Sequence, residues 1–193
     1  TEIGDDNQPF TTLRSDVLTD EVIPLTSALA AQDSGDAREA IKLLFRACRF
    51  ADDDGASPIT EHHVRNAHEY LEQAAVERGI QSLPLQRALA LLTVTHATLT
   101  GTTQPETKDL HTLYETFCEH IGARAISGRR FRDKLNDLAD SSILTKDTRG
   151  RGQGLGQTNR YELEVTVETV LDNLINDGRI EEVVDDVLRP RMQ

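Results

Sequence analysis

The sequence predicts a mainly α protein of two successive helical units, with one β-hairpin in the second. Three observations predict it. Apolar residues recur at three- and four-residue steps along most of the chain, the mark of amphipathic helices. The period shortens to two only once, on either side of a glycine-rich stretch at 150–156. A Ser82-Leu83-Pro84 break separates one helical group from the next, giving domains at 1–80 and 81–193.

The elements follow in order. Residues 1–17 show no clear period. From Thr19 the pattern turns helical, with Thr19 or Asp20 as cap, Val22, Ile23, Leu25, Leu29 and Ala30 as apolar positions, and Ser34-Gly35 as the stop. A second helix spans about 36–52, and its expected stripe is Ala37, Ala40, Ile41, Leu44, Phe45, Cys48 and Ala51. A third begins at a Thr60 N-cap, buries Val64, Ala67, Leu71, Ala74 and Ala75, and is expected to close at Arg78-Gly79.

The second group opens with Leu85, Leu89, Leu92 and His96 on one helix face. A helix from Pro105-Glu106 to a Gly122 cap follows, with Leu110, Leu113, Tyr114, Phe117, Cys118 and Ile121 apolar. Ser127 caps another, burying Phe131, Leu135, Leu138 and Ala139. Ile143-Leu144 opens a strand, and Tyr161, Leu163 and Val165 alternate with polar residues in its return. A helix through Val170, Leu171 and Leu174 closes the group, and a last short one is expected over 180–188. Helix, helix, helix, hairpin, helix is the winged-helix order. In that fold the third helix enters the major groove of DNA and the hairpin is the wing.

Composition removes several classes. No run approaches the 18 apolar residues that a bilayer span needs. The polar, acidic start is no signal peptide, and two cysteines seventy residues apart are no disulfide framework. The chain is therefore expected in the cytoplasm, where a DNA-bound winged helix would sit at the nucleoid. It starts on Thr1 instead of Met, which reads as an excised piece of a longer protein. A natural short paralogue is the other reading. Arg outnumbers Lys 17 to 4 in an acid-rich chain, which fits adaptation to high intracellular salt.

The formal net charge of -12 argues at first against any polyanion. Its distribution reverses that inference. Residues 122–160 carry nine basic and four acidic side chains, net +5, while the rest of the chain carries -17. Screening confines fields to roughly 10 Å, so the local charge decides whether a phosphate backbone is attracted. The basic block falls on the two elements a winged helix presents to DNA. On the third helix lie Arg129, Arg130, Arg132, Lys134 and Asn136, with Ser127 at its start. Arg forks and Asn amides match guanine and adenine edges. On the wing lie Lys146, Arg149, Gly150, Arg151 and Gly152, with Asn159 and Arg160 at its return. Glycines let backbone approach a narrow groove, where Arg is favoured.

Other constellations are poorer. His62-His63 with His68 lacks the spacing of a metal site, because adjacent helix positions point different ways. Cys48 and Cys118 sit on apolar stripes and read as small buried hydrophobes. The glycines of 150–156 lack the Gly-Lys-Ser/Thr of a phosphate loop. No serine, histidine and acid grouping suggests nucleophilic catalysis.

At Gly35-Asp36-Ala37-Arg38-Glu39-Ala40-Ile41-Lys42-Leu43-Leu44 the chain resembles the sensor-two segment of archaeal replication initiators. These are the combined homologues of origin recognition complex subunit one and cell division control protein six. The flanks agree: Val17-Leu18-Thr19-Asp20-Glu21-Val22-Ile23 before it, and Ile59-Thr60-Glu61-His62-His63-Val64 with Ala67 after it. Leu83-Pro84-Leu85-Gln86-Arg87-Ala88-Leu89 and the 150–156 wing with Tyr161-Glu162-Leu163 look like the family's winged helix. The resemblance covers roughly residues 13–176.

It implies that 1–80 is a three-helix AAA+ lid and 81–193 the DNA-binding winged helix. It implies double-stranded origin DNA as partner, with the replicative helicase and other initiator copies beside it. In the family an ATPase base precedes the lid, and ATP or ADP with Mg is the cofactor. The lid arginine, here Arg38, reaches the γ-phosphate. This sequence contains no Gly-x-x-x-x-Gly-Lys-Ser/Thr loop and no acidic Walker B strand. No cofactor and no ATP hydrolysis are therefore expected of it alone. Two readings compete: a transcriptional regulator dimerised by its first eighty residues, and an interaction module whose Arg-rich helix meets an acidic protein. A paralogue lacking the base would compete with the full initiator.

Overall fold

The computed structural model describes residues 17–33, 35–102, 105–150, 157–175 and 177–185. Among them are eight helices and one two-stranded sheet. The chain divides into two units between Ala74 and Ala75.

The first unit begins with a short parallel bridge between Leu18 and Ile59, in which the Ile59 N–H donates to the Val17 carbonyl and the Thr19 N–H to the Ile59 carbonyl. Helix α1 runs Val22–Asp33 and α2 runs Ala37–Asp53. Gly35 supplies the turn between them at φ 69°, a conformation that costs glycine nothing. Asp36 caps α2 by accepting the Arg38 N–H at 2.9 Å. Helix α3 runs Glu61–Gln81. At its start the Thr60 N–H donates to Nδ1 of His63, 3.0 Å away. His63 thus takes the place that Glu or Gln fills in a capping box.

The core of this unit is Val22, Leu43, Ala47, Ala51, Ile59, Val64 and Ala67. The expected α2 stripe is corrected. Ile41 and Phe45 are 68% and 64% exposed, and the buried row is Leu43, Ala47, Ala51. Ala40, Leu44 and Cys48 flank it half-buried. Apolar residues occupy well over one face of α2, so their spacing leaves the helix rotation open. The rotation adopted turns small Ala47 and Ala51 to the core, where helices can approach closely. The expected stop of α3 at Gly79 is corrected too. The helix continues to Gln81, Ala75 is exposed, and Ile80 is fully buried in the second unit's core. A glycine inside a helix costs about 1 kcal/mol, and burying an isoleucine side chain returns about 1.5–3 kcal/mol.

The second unit is assembled around α4, Leu85–Leu99. Residues 88–95 and Ala97 are all buried, so α4 is a central helix with no solvent face over that stretch, instead of the one-faced helix the sequence suggested. Its buried Thr93 and Thr95 hydroxyls donate to the helix's own Ala90 and Leu91 carbonyls, at 2.7 and 3.1 Å. Around α4 pack α5 (Thr107–His120), α6 (Gly128–Asp140), a hairpin of β1 (Leu144–Gly150) and β2 (Gln157–Leu163), and α7 (Val167–Leu174). Thr166 caps α7 through its hydroxyl, which accepts the Thr169 N–H. The hairpin register pairs Leu144 with Leu163, Lys146 with Tyr161 and Thr148 with Asn159. The last helix, α8, is Glu181–Val183, and positions 186–188 of the helix expected over 180–188 lie outside the described residues. Helix, helix, helix, hairpin, helix is the order observed.

One packing prediction follows. Leu135 is fully buried against α4 and its neighbours. Leu135→Ala is expected to cost about 2–5 kcal/mol in thermal or urea unfolding.

Candidate nucleic-acid interface

Helix α6 has two sides. Phe131, Leu135 and Leu138 form its buried row, each 1% exposed or less. Arg129, Arg130 and Arg132 stand outward and exposed, while Lys134 and Asn136 are half-buried flanks. An α-helix turns about 100° per residue, so steps of three and four hold the apolar row together and leave the arginines on the remaining arc.

The turn that enters α6, residues 121–127, is fixed by side chains from two other helices. Gly122 bends the chain at φ 65°. The Ile126 N–H donates to the Tyr114 hydroxyl at 3.1 Å, and that hydroxyl donates in turn to Oε1 of Gln86. The other end of the same amide, Nε2 of Gln86, donates to the Arg124 carbonyl at 3.3 Å. Nε2 of His111 lies 3.0 Å from the Ile126 carbonyl. The His111 ring stacks on Tyr114 and meets Phe131 edge-on, with centroids 5.8 and 5.2 Å apart. Burial pushes the Tyr114 phenol far above its ordinary pKa of 10, so it stays a donor.

This turn floors an open cleft of about 540 Å³ lined by Arg124, Ala125, Ile126, Ser127 and Arg130. Ser127 is the N-cap residue of α6, yet its hydroxyl makes no capping bond. Two guanidinium-bearing residues and the positive end of a helix share one concave surface. Arg124 was missed by sequence reasoning. Its signal was its place in the basic block, two residues before the Ile126–Ser127 entry to α6.

The remaining expected residues separate into groups. Lys134 pairs with Asp137 at 3.2 Å, and Asp137 also takes Arg87 at 3.0 Å, so part of the charge of α6 is neutralised internally. Lys146 is exposed on β1, opposite Tyr161. Asn136 and Asn159 both bond to Tyr161: its hydroxyl donates to Oδ1 of Asn136 at 3.0 Å and accepts from Nδ2 of Asn159 at 3.3 Å. Arg160 lies opposite Asp147 in the hairpin and bridges to Glu106 through its backbone. Arg149 and Gly150 occupy the last two positions of β1, and Arg151 and Gly152 lie outside the described residues.

In the first unit Arg38 is exposed on the first turn of α2. Beside that turn is a cleft of about 250 Å³ lined by Ser27, Ala30, Ala31, Gly35, Asp36, Ala37 and Ala40. The histidines take structural roles: His63 caps α3, His62 is 3.1 Å from Asn66, and His68 is 3.4 Å from Glu72. No group of three or more His, Cys, Asp or Glu among the described residues could hold a metal ion. Cys118 is buried and Cys48 half-buried, and burial raises both thiol pKa values. No helix among the described residues is long and apolar enough to cross a membrane.

A helical unit followed by three helices, a wing and a closing helix, with arginines outward on the third, defines a winged-helix protein carrying an AAA+-type lid. The comparisons make this specific. Residues 11–69 match the Cdc6 AAA+ ATPase-type lid domain, and residues 78–173 match the C-terminal winged helix domain of CDC6. The chain belongs to this family of replication initiators, of which it carries the lid and winged-helix portion. It is 34% identical over 168 residues to an ORC1-type DNA replication protein of Thermococcus onnurineus, covering 87% of this chain and 40% of that protein. It is 33% identical over 172 residues to ORC1-type DNA replication protein 7 of Halobacterium salinarum, covering 89% of this chain and 33% of that one. The chain thus spans well under half the length of these relatives. The solved structure of Aeropyrum pernix ORC1 in complex with DNA is similar with a TM-score of 0.71 at 27% identity, covering 86% of this chain and 43% of that one.

Burial also raises the Tyr161 pKa from its ordinary value of 10. Both phenols are protonated in the fold, so what they add to stability is complete below about pH 10, the value in the unfolded chain. It is lost as pH rises toward the higher folded values. Ultraviolet titration should show the Tyr114 and Tyr161 phenolates delayed past pH 10, assigned by the Tyr114→Phe and Tyr161→Phe variants.

Proposed function

We propose that this chain binds double-stranded DNA at replication origins as the DNA-reading part of an ATP-switched initiator. The observation that carries the reading is the outward row Arg129, Arg130 and Arg132 on α6, set beside the Arg124–Ser127–Arg130 cleft. A helix about 10–12 Å across fits the major groove. There Arg forks bond guanine edges, and the cleft at the helix start faces the phosphates that border the groove. Lys146, exposed on β1, suits the neighbouring groove, and the sequence adds arginines at 149 and 151. The A. pernix relative's complex with DNA supports the same use of the fold. Origin marking, recruitment of the replicative helicase and assembly with further initiator copies are the roles proposed for the whole protein, at the nucleoid of a salt-rich cytoplasm.

Nucleotide chemistry belongs to a larger assembly. Arg38, exposed on α2, suits a γ-phosphate because its charge is permanent and forked. The 193 residues contain no Gly-x-x-x-x-Gly-Lys-Ser/Thr sequence to hold the other phosphates. One lid arginine does not make an ATP site, and no catalytic step is assigned to these residues.

Fluorescence anisotropy with an origin duplex tests the DNA reading. Affinity should fall steeply with salt, and Arg129→Ala and Arg130→Ala should each cost about 1–3 kcal/mol. Binding that these substitutions leave unchanged would remove α6 as the reading element. The chain should remain folded when the titration is carried to molar potassium chloride. Calorimetry with ATP and Mg should show no micromolar binding to this chain, and a measured micromolar affinity would place a nucleotide site within it.

A further inference from the structure

Asn136 and Asn159 are the amide side chains of the basic block that look suited to read bases. The structure engages both with the same hydroxyl. Tyr161 is 0% exposed, with its ring in the core of the second unit. Its O–H donates to Oδ1 of Asn136 on α6 at 3.0 Å. Nδ2 of Asn159 donates to the Tyr161 oxygen at 3.3 Å, and Oδ1 of Asn159 accepts the Thr148 hydroxyl at 3.2 Å. Four side chains therefore form one directed chain of hydrogen bonds, from α6 through β2 to β1. Its far end lies two residues from Lys146 and next to Arg149. The Asn159 backbone is held as well, since the Thr107 hydroxyl donates to its carbonyl at 3.1 Å.

A phenol has one proton to give, so one amide must accept from it and the other donate to it; here Asn136 presents its oxygen and Asn159 its nitrogen. An isolated two-stranded hairpin is only marginally stable in water. A wing that had to be ordered during binding would lose affinity in side-chain and loop entropy. A tether between α6 and both strands, anchored on the buried Tyr161, removes that cost beforehand.

We propose that Tyr161, with Asn136 and Asn159, is a positioning unit that sets the wing against α6 so that both meet one duplex together, and that Asn136 does not read a base. The proposal rests on the reading of α6 as the DNA-contacting helix.

A double-mutant cycle in the full chain tests it. Tyr161→Phe keeps the ring and removes both hydroxyl bonds. It should weaken duplex binding by roughly three- to tenfold, the effect of losing one or two hydrogen bonds. In a Lys146→Ala, Arg149→Ala, Arg151→Ala background the same substitution should have no further effect, because the wing it positions no longer contributes. Asn136→Ala should give a similar loss, should not add to Tyr161→Phe, and should leave base preference unchanged at every position. Thr148→Val breaks the far end from an exposed site, without touching the core, and should give a smaller loss of the same kind. Undiminished loss from Tyr161→Phe in the background lacking wing charges would overturn the proposal. So would a shift of preference at one base pair with Asn136→Ala alone, or wild-type affinity in both Tyr161→Phe and Thr148→Val. The reading it rests on is checked separately. If Arg129→Ala and Arg130→Ala bind duplex like the parent chain, α6 is not the DNA-contacting helix and both inferences fall. If they weaken binding and Tyr161→Phe does not, only the tether falls.

Discussion

The hydrogen-bonded contact of Tyr114 with Gln86 and the Ile126 N–H is the constraint on which the placement of α6 and its arginines depends. A turn of seven residues between two helices has many conformations available. Here its backbone is gripped on both sides by the buried Tyr114 and the half-buried Gln86 and His111. Gln86 spends both ends of one amide, accepting from Tyr114 and donating to the Arg124 carbonyl. His111 lies within hydrogen-bonding distance of the carbonyl of the residue whose N–H Tyr114 receives. The direction of α6, and with it the directions of Arg129, Arg130 and Arg132, follows from these few bonds. A small error in this turn would be magnified along a thirteen-residue helix.

Much of this architecture could be read in the sequence, and the reasons it could not all be read are physical. The order of elements in the second unit was legible because each carries its own local signal: Gly122 ending one helix, Ser127 opening the next, alternation around Tyr161. The rotation of α2 was not legible, because Ile41 and Phe45 share the helical spacing of the true core residues and only tertiary packing chooses between the two rows. Gly79 misled for a related reason. Glycine marks a stop only when nothing beyond it gains by remaining helical, and Ile80 does gain.

At the site the arginines of α6 were visible as an anomaly of charge in an acidic chain. The pairing of Lys134 with Asp137 and the sharing of Tyr161 by Asn136 and Asn159 were not visible. Composition counts a cation or an amide as available, while folding decides whether it already has a partner. Arg124 illustrates the converse. It carries no motif, and gains its place only because the turn brings it to the same cleft as Arg130.

The two sides of α6 also bear on how such proteins diverge. Core packing rests on Phe131, Leu135 and Leu138 with the half-buried Ala139, and the arginines outside that row contribute nothing to the core. Surface substitutions of that kind usually alter stability by about 0.5 kcal/mol or less. Surface chemistry and foldedness are therefore nearly independent properties of this helix. On the proposed DNA reading, residues 129, 130 and 132 can change, and with them the sequence preferred, while the same scaffold is kept.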